Sequence, residues 1–385
     1  KLRKLILGPL ALLSMLLLAA CQTGPLIGSG PSVNPSAPVP VALLVPYGSA
    51  DTNEQKLAQD LENAARMAVS DLNGVQIDLR VYGTAGNAEK AGQVASEAVA
   101  DGAKIIIGPL HAESANAAAL AVAGRGVNVL AFSNNPTIAG GNLFVLGQTF
   151  NTTANRLVGY AASQGRDRIM TVYASNLAGR LGRAAIQEAI TLNGAVPAGS
   201  VSYEFSQQGV ISVLPQIKNT AQQNDANAIF LTANTAGALP LFSQMLPENG
   251  LGQDTVQYIG LARWDTPPQT LELPGVQGGW FALPDPGKAG QFNARYTSAY
   301  GAAPHPIGGL AYDGIAAIGA LVGNGQSNAL TGAALTQGAG FQGVGGIFRL
   351  RPDGTNQRGL AVATIQNRQV VVIDPAPASF SGAGF

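Results

Sequence analysis

Two short polar clusters stand where apolar runs end, and they are the residues best placed to do chemistry. The first is Gly108-Pro109-Leu110-His111 with Ser114, directly after Lys104 to Ile107; the second is Ser133-Asn134-Asn135, after Val127 to Phe132. His111 and Ser114 stand at the start of a helix, whose exposed N–H groups can receive a carboxylate, although capping and solvation explain the same residues. Ser133, Asn134 and Asn135 can donate and accept hydrogen bonds to a ligand, or bond their own backbone as loop residues do. Tyr47 follows the first strand, Asn176 and Asn234 follow strands later in the chain, and Trp264 is flanked by Arg263 and Asp265, so all four are expected at a cleft. Tyr312-Asp313 reads as structural.

These residues suit binding better than catalysis. The chain has two histidines, His111 and His305, and one cysteine, and it lacks HExxH, GxSxG and P-loop spacings. No metal-ligand cluster is spaced along it either. A non-enzymatic protein with no cofactor and no metal is the expectation.

The elements that must position the clusters alternate strand and helix. Lys104 to Ile107 is a β-branched run too short for a helix, Ala115 to Ala123 is Ala-rich and stopped by Gly124 and Gly126, and Val127 to Phe132 is the next strand. Such βαβ units build a parallel sheet, whose ligand crevice lies beyond the carboxyl ends of its strands. Both clusters lie at such ends. Upstream, Val41 to Val45 and Ile77 to Tyr82 read as strands, with helices over Asp51 to Leu72 and Ala88 to Ala100. Leu143 to Leu146 reads as a strand, and Asn151-Thr152 as the cap of a helix over Ala154 to Gln164.

The alternation then restarts. Strands are expected at Arg168 to Tyr173, Val201 to Phe205, Ala228 to Ala233, Val256 to Leu261 and Gly278 to Leu283, with helices over Leu181 to Leu192, Val210 to Gln223 and Ala236 to Met245. Ala289 to Tyr300 and Ile307 to Val322 read as helices, the second returning to the first lobe. Gly346 to Leu350, Leu360 to Gln366 and Gln369 to Ile373 read as strands. A chain of 385 residues is too long for one ordinary core, so two lobes are expected. The predicted division is 39–148 with about 285–330 for the first lobe, 149–284 for the second, a β segment at 340–374 completing the body, and a tail at 375–385.

Composition narrows the class. Charged residues are 11%, apolar residues 46%, and glycine numbers 49, which fits a compact Ala/Gly-rich α/β protein. Lys plus Arg balance Asp plus Glu at 22 each, which leaves no basic footprint for nucleic acid. The opening KLRKLILGPLALLSMLLLAAC has a basic start, an apolar run and the lone cysteine, which is signal-peptide architecture over 1–20. Leu18-Ala19-Ala20-Cys21 resembles a bacterial lipobox, implying lipidation at Cys21 and a membrane anchor, with Gln22 directing the protein to the periplasmic side of an outer membrane. Residues 21–38, rich in Gly, Pro and Ser, read as a flexible tether.

The segments IIIGPL, VNVLAFSNN, IFLTANTAGALPLFSQM, GGLAYDGIAAIGAL and GIFRLRPDG, in this order, resemble the type I periplasmic-binding fold of branched-chain amino-acid receptors over about Val39 to Asp374. The resemblance implies two doubly wound parallel-sheet lobes with a hinge and a cleft. GPLHAESA followed by RGVNVLAFSNN is most similar to the penicillin-binding protein activator lipoproteins, which implies a regulator that contacts a peptidoglycan synthase. The alternative is a receptor handing an amino acid or other small polar ligand to a transporter permease. The receptor pattern implies a serine at Ala112, a threonine at Asn134 and an aromatic residue at Ala178; the departure at all three weakens amino-acid binding.

Overall fold

The structure, a computed structural model, describes residues 30–380. The expected signal segment, Cys21 and the first part of the tether lie outside the described residues.

Val39–Val45 forms β1, whose alternate side chains enter two different cores because both faces of a parallel sheet are covered. Thr52–Asp71 is α1, capped by Asp51, whose carboxylate accepts from the Asn53 N–H at 2.8 Å. Its apolar stripe, Leu57, Ala58, Leu61, Ala64, Ala65 and Ala68, repeats at helical spacing and is buried. Ile77–Gly83 is β2, Ala88–Ala100 α2, Ile105–Ile107 β3, Ala112–Val122 α3, Asn128–Ala131 β4 and Leu143–Val145 β5. The five strands pair in parallel in the order β2-β1-β3-β4-β5. Small Ala side chains let α2 and α3 pack closely over one face, while α1 covers the other.

The second half repeats the pattern with Phe150–Ser163 (α4), Arg168–Ala174 (β6), Leu177–Leu192 (α5), Val196–Tyr203 (β7), Gln207–Gln223 (α6), Ala228–Leu231 (β8), Leu239–Glu248 (α7), Gln257–Gly260 (β9) and Trp280–Leu283 (β10). Pro286–Tyr300 (α8) and Gly309–Gly323 (α9) return to the first lobe, where Tyr296, Ile315 and Ile318 join its core.

The C-terminal β stretch divides between the lobes. After the short helix Gly332–Leu335 (α10), Phe341–Gly343 (β11), Gly346–Leu350 (β12) and Asn356–Arg358 (β13) make a small antiparallel sheet whose Phe341, Phe348 and Leu350 enter the first lobe's core. Ala361–Gln366 (β14) and Gln369–Asp374 (β15) instead extend the second sheet, which runs β15-β14-β10-β9-β8-β6-β7. The chain therefore passes between lobes after β5, after β10 and after β13.

The tether expectation needs correction within the described part. Val33 is 6% exposed, lies in the first lobe's core and donates its N–H to the Ser327 carbonyl at 2.9 Å. An apolar side chain with a place in the core does not stay in solvent, so 30–38 lies against the body.

Candidate functional site

A cavity of about 820 Å³ opens between the lobes. Its floor on the first lobe comes from the loops after β3 and β4. Gly108 turns the chain there with φ +86, and an added methyl would meet the Leu44 carbonyl, so only glycine lets this loop hug the sheet. His111 follows, with Nε2 2.7 Å from Glu54 Oε1 on α1, and its ring lines the cavity. Ser114, one turn later, is 1% exposed and sits beneath the helix start rather than on the cavity wall.

Ser133, Asn134 and Asn135 do reach the cavity together. Ser133 Oγ accepts from the Asn135 N–H at 3.1 Å, and Asn135 Oδ1 accepts from the N–H and hydroxyl of Thr137 at 3.0 and 2.8 Å. These local bonds hold the loop, and the exposed Asn134 amide points out of it.

The opposite wall carries Arg263 and Thr266, from the loop after β9. Arg263 donates to both carboxylate oxygens of Asp265, at 2.8 and 2.5 Å, a two-pronged pair. The back is built from the crossings and the returning helices: Phe292, Ile307 and Leu310 are apolar, with His305, Asp313 and Arg358 among them. Asp313 accepts from the Val344 N–H and from Arg358 Nη1, both at 2.8 Å. Burial pushes the Asp313 carboxyl above the usual carboxylate range, and Arg358 with the Val344 N–H pulls it part of the way back. Arg358 also donates twice to the Leu146 carbonyl, at 3.0 and 2.6 Å, which ties the third crossing to the first. Burial lowers the His305 pKa, with Asp60 only partly opposing it, so the ring is neutral at pH 7.

A second hollow, about 180 Å³, lies at the strand ends of the second lobe among Asn176, Ala178, Tyr203, Phe205 and Asn234. Asn176 Oδ1 accepts from the Gly179 N–H at 2.8 Å and caps α5. Ala178 is on its wall, at the position where the receptor pattern implies an aromatic residue.

Two expected cleft residues lie elsewhere. Trp264 is fully buried in the second lobe's core, its indole seated against Gly260 and Gly279 where a Cβ would collide with the ring. Its neighbours Arg263 and Asp265 lie in the same bend, only partly buried and paired with each other. Tyr47 donates to Glu62 Oε2 at 2.8 Å and packs against the first lobe's core, outside the cavity. Burial, and then the bond to Glu62, push its hydroxyl pKa up.

Sequence reasoning missed Phe292, His305 and Arg358 as cavity residues and read Asp313 as structural only. Among the described residues, no group of three or more His, Cys, Asp or Glu converges as a metal site, and no helix is long and apolar enough to cross a membrane.

Comparison with known proteins agrees with this geometry. No curated protein sequence matches the chain. Among solved structures, a protein from Rhodospirillum rubrum described as a branched-chain amino acid ABC transporter is 17% identical, with 88% of this chain and 100% of that one covered and a TM-score of 0.74. An ABC transporter substrate-binding protein from Desulfitobacterium hafniense in complex with Leu is 18% identical, with 88% and 100% covered and a TM-score of 0.62. A solute-binding protein of an ABC transporter from Rhodopseudomonas palustris in complex with 3,4-dihydroxybenzoic acid is 17% identical, with 90% and 98% covered and a TM-score of 0.59. The family model described as periplasmic binding protein matches residues 38–369, and with two parallel-sheet lobes enclosing one cleft, the chain belongs to the periplasmic binding protein family.

Proposed function

We propose that the protein is a periplasmic solute-binding receptor, whose lobes close on a small ligand and present it to the permease of an ABC transporter. The observation that carries this reading is the cavity between the lobes, with strand-end loops of both sheets and the three crossings in its wall. A ligand touching both lobes binds the closed arrangement better than the open one and so shifts the population toward closure. The relatives of known structure are transport receptors, which favours this reading over the synthase activator expected from the sequence.

The test is a thermal-shift screen with a broad panel of small metabolites, followed by small-angle scattering. A ligand at about one hundred times its Kd should add about 2.7 kcal/mol to stability and raise the melting temperature. The same ligand should reduce the radius of gyration. Affinity capture from envelope extracts should recover permease subunits. Recovery of a penicillin-binding protein, with no ligand found, would return the activator reading to first place.

A further inference from the structure

The ionisable side chains on the wall of the cleft are His111, Arg263, His305, Asp313 and Arg358. Each is already accounted for. Asp313 and Arg358 neutralise one another at 2.8 Å, with side chains 2% and 10% exposed. Arg263 holds Asp265 through two hydrogen bonds, and His111 holds Glu54 at 2.7 Å. His305 Nδ1 accepts from the Ile307 N–H at 3.3 Å, and Asp60 accepts the His305 backbone N–H at 2.9 Å.

Among the described residues, then, the cavity offers no unpaired carboxylate for an ammonium group and no unpaired guanidinium for a carboxylate. Asp313 is the one acid on the wall, and both its oxygens are taken. The rest of the wall includes the apolar Leu57, Leu110, Phe132, Phe292, Ile307 and Leu310, together with the neutral groups of Ser133, Asn134, Asn135, Gln148, Thr266 and Asn293. A charge moved from water into such a space loses hydration and gains no opposite charge, whereas an amide or hydroxyl exchanges one neutral hydrogen bond for another. An ion that displaced Asp313 or Arg358 from its partner at the back wall would strand a buried charge.

We propose that the cleft selects an electrically neutral ligand, a largely apolar body carrying amide-type or hydroxyl-type groups, and discriminates against free amino acids. This rests on the receptor reading. Asn134 is the contact best placed to meet the ligand's polar group, because its amide is exposed to the cavity and engaged in no side-chain bond that holds the loop.

The experiment uses probes that share a body and differ in charge: phenylalanine, phenethylamine, 3-phenylpropanoate and 3-phenylpropanamide, and the same four forms built on the leucine side chain. Each is titrated by thermal shift and calorimetry. The expected result is that the amide binds at least about tenfold more tightly than its charged counterparts in one or both series. Equal or tighter binding of a zwitterion or ion would overturn the proposal and leave the receptor reading intact. Silence from all eight would also overturn it, while the receptor reading would still be judged on the broad metabolite panel. Asn134→Asp places a carboxylate on an exposed loop position and should not disturb folding; it should move the preference toward phenethylamine. An unchanged ranking in that variant would place binding away from this cleft and would overturn the proposal as well.

Discussion

Replacing Arg358 by Met tests how the cleft's back wall is held. The side chain occupies similar space, so the change removes a charge and three hydrogen bonds rather than volume: one to Asp313 and two to the Leu146 carbonyl. Asp313, 1% exposed, is left with the Val344 N–H as its remaining donor. A buried acid without its cation escapes by taking up a proton. At pH 7 that means protonation about three units above the ordinary carboxylate value, and at about 1.4 kcal/mol per unit the cost is about 4 kcal/mol. This agrees with the 3–5 kcal/mol typical when one partner of a buried pair is removed. In a chain of this size it corresponds to a fall in melting temperature of roughly 5 °C. The sign with pH follows from the raised Asp313 pKa. A carboxyl whose folded pKa exceeds its unfolded one contributes most to stability below the unfolded value, and the contribution is lost as pH rises through the folded value. Removing Arg358 raises the Asp313 pKa further, so the deficit of Arg358→Met should shrink on acidification below pH 7, by at most about 1.4 kcal/mol per unit while the wild-type carboxyl stays ionised. Urea melts of wild type and variant at pH 7 and pH 5 measure it, and adding Asp313→Asn to the variant should recover more than half of the loss. A deficit under about 1 kcal/mol at pH 7, or one that stays constant with pH, would refute the account of the pair.

Trp264→Ala should destabilise by about 3–5 kcal/mol, because the indole fills space between Gly260 and Gly279 that the backbone cannot collapse to close; a urea-melt loss below about 1 kcal/mol would mean the ring is not a core residue. Asp71 is held below its usual pKa: burial works to raise it, but the Arg295 guanidinium at 2.7 Å and the Tyr312 hydroxyl at 2.6 Å outweigh that. Its contribution is present above the unfolded carboxylate value and is lost as pH falls through the lowered one, so Arg295→Gln should flatten the acid limb of the stability curve. The effect should stay within about 1 kcal/mol because the arginine is half exposed.

Elements with strong local punctuation were legible. Ala88–Ala100 begins after the capping Asn87 and ends before the turn at Asp101 and Gly102, so its limits could be read directly. Errors arose where the signals compete. Asn151 and Thr152 look like caps for an apolar stripe starting at Ala154, yet Thr149 accepts from the Thr152 N–H and the helix gains a turn through Phe150. The helix after Gly108 starts at Ala112, earlier than its Ala run suggests, although His111 supplies no side-chain cap. Strands β11 and β13 are three residues each and largely polar; they are strands because β12 lies between them, and that partnership has no signature in a single window. For the cleft, the strand-end rule found His111 and the Ser133 cluster, whose positions depend on local chain. Phe292, His305, Asp313 and Arg358 reach the same cavity from segments well over one hundred residues away, and only the two later crossings bring them there.

The chain's low charge content and its neutral cleft have a common physical origin. With 11% charged residues spread over a large body, several of the pairs that form serve to fix chain crossings and loops, and water does not neutralise a charge held there. Arg358 binds the Leu146 carbonyl and Asp313, Arg156 binds the Leu360 carbonyl and Asp374, and the neutral Asn356 amide binds the carbonyls of Val145 and Gly147. The contacts of Arg156, of Asn356 and of Arg358 with Leu146 tie the first crossing, or the helix it leads into, to the segments that follow the third, while the Arg358–Asp313 pair ties that region to α9. Polar contacts of this kind hold the first and third crossings together, with Asn356 Oδ1 left buried and without a hydrogen-bond partner. In the receptor proposed above, contacts of this kind would hold the back while the front responds to a ligand. The pairing of Asp313 with Arg358 at the back wall and the neutral cleft proposed above would then follow from one distribution of charge.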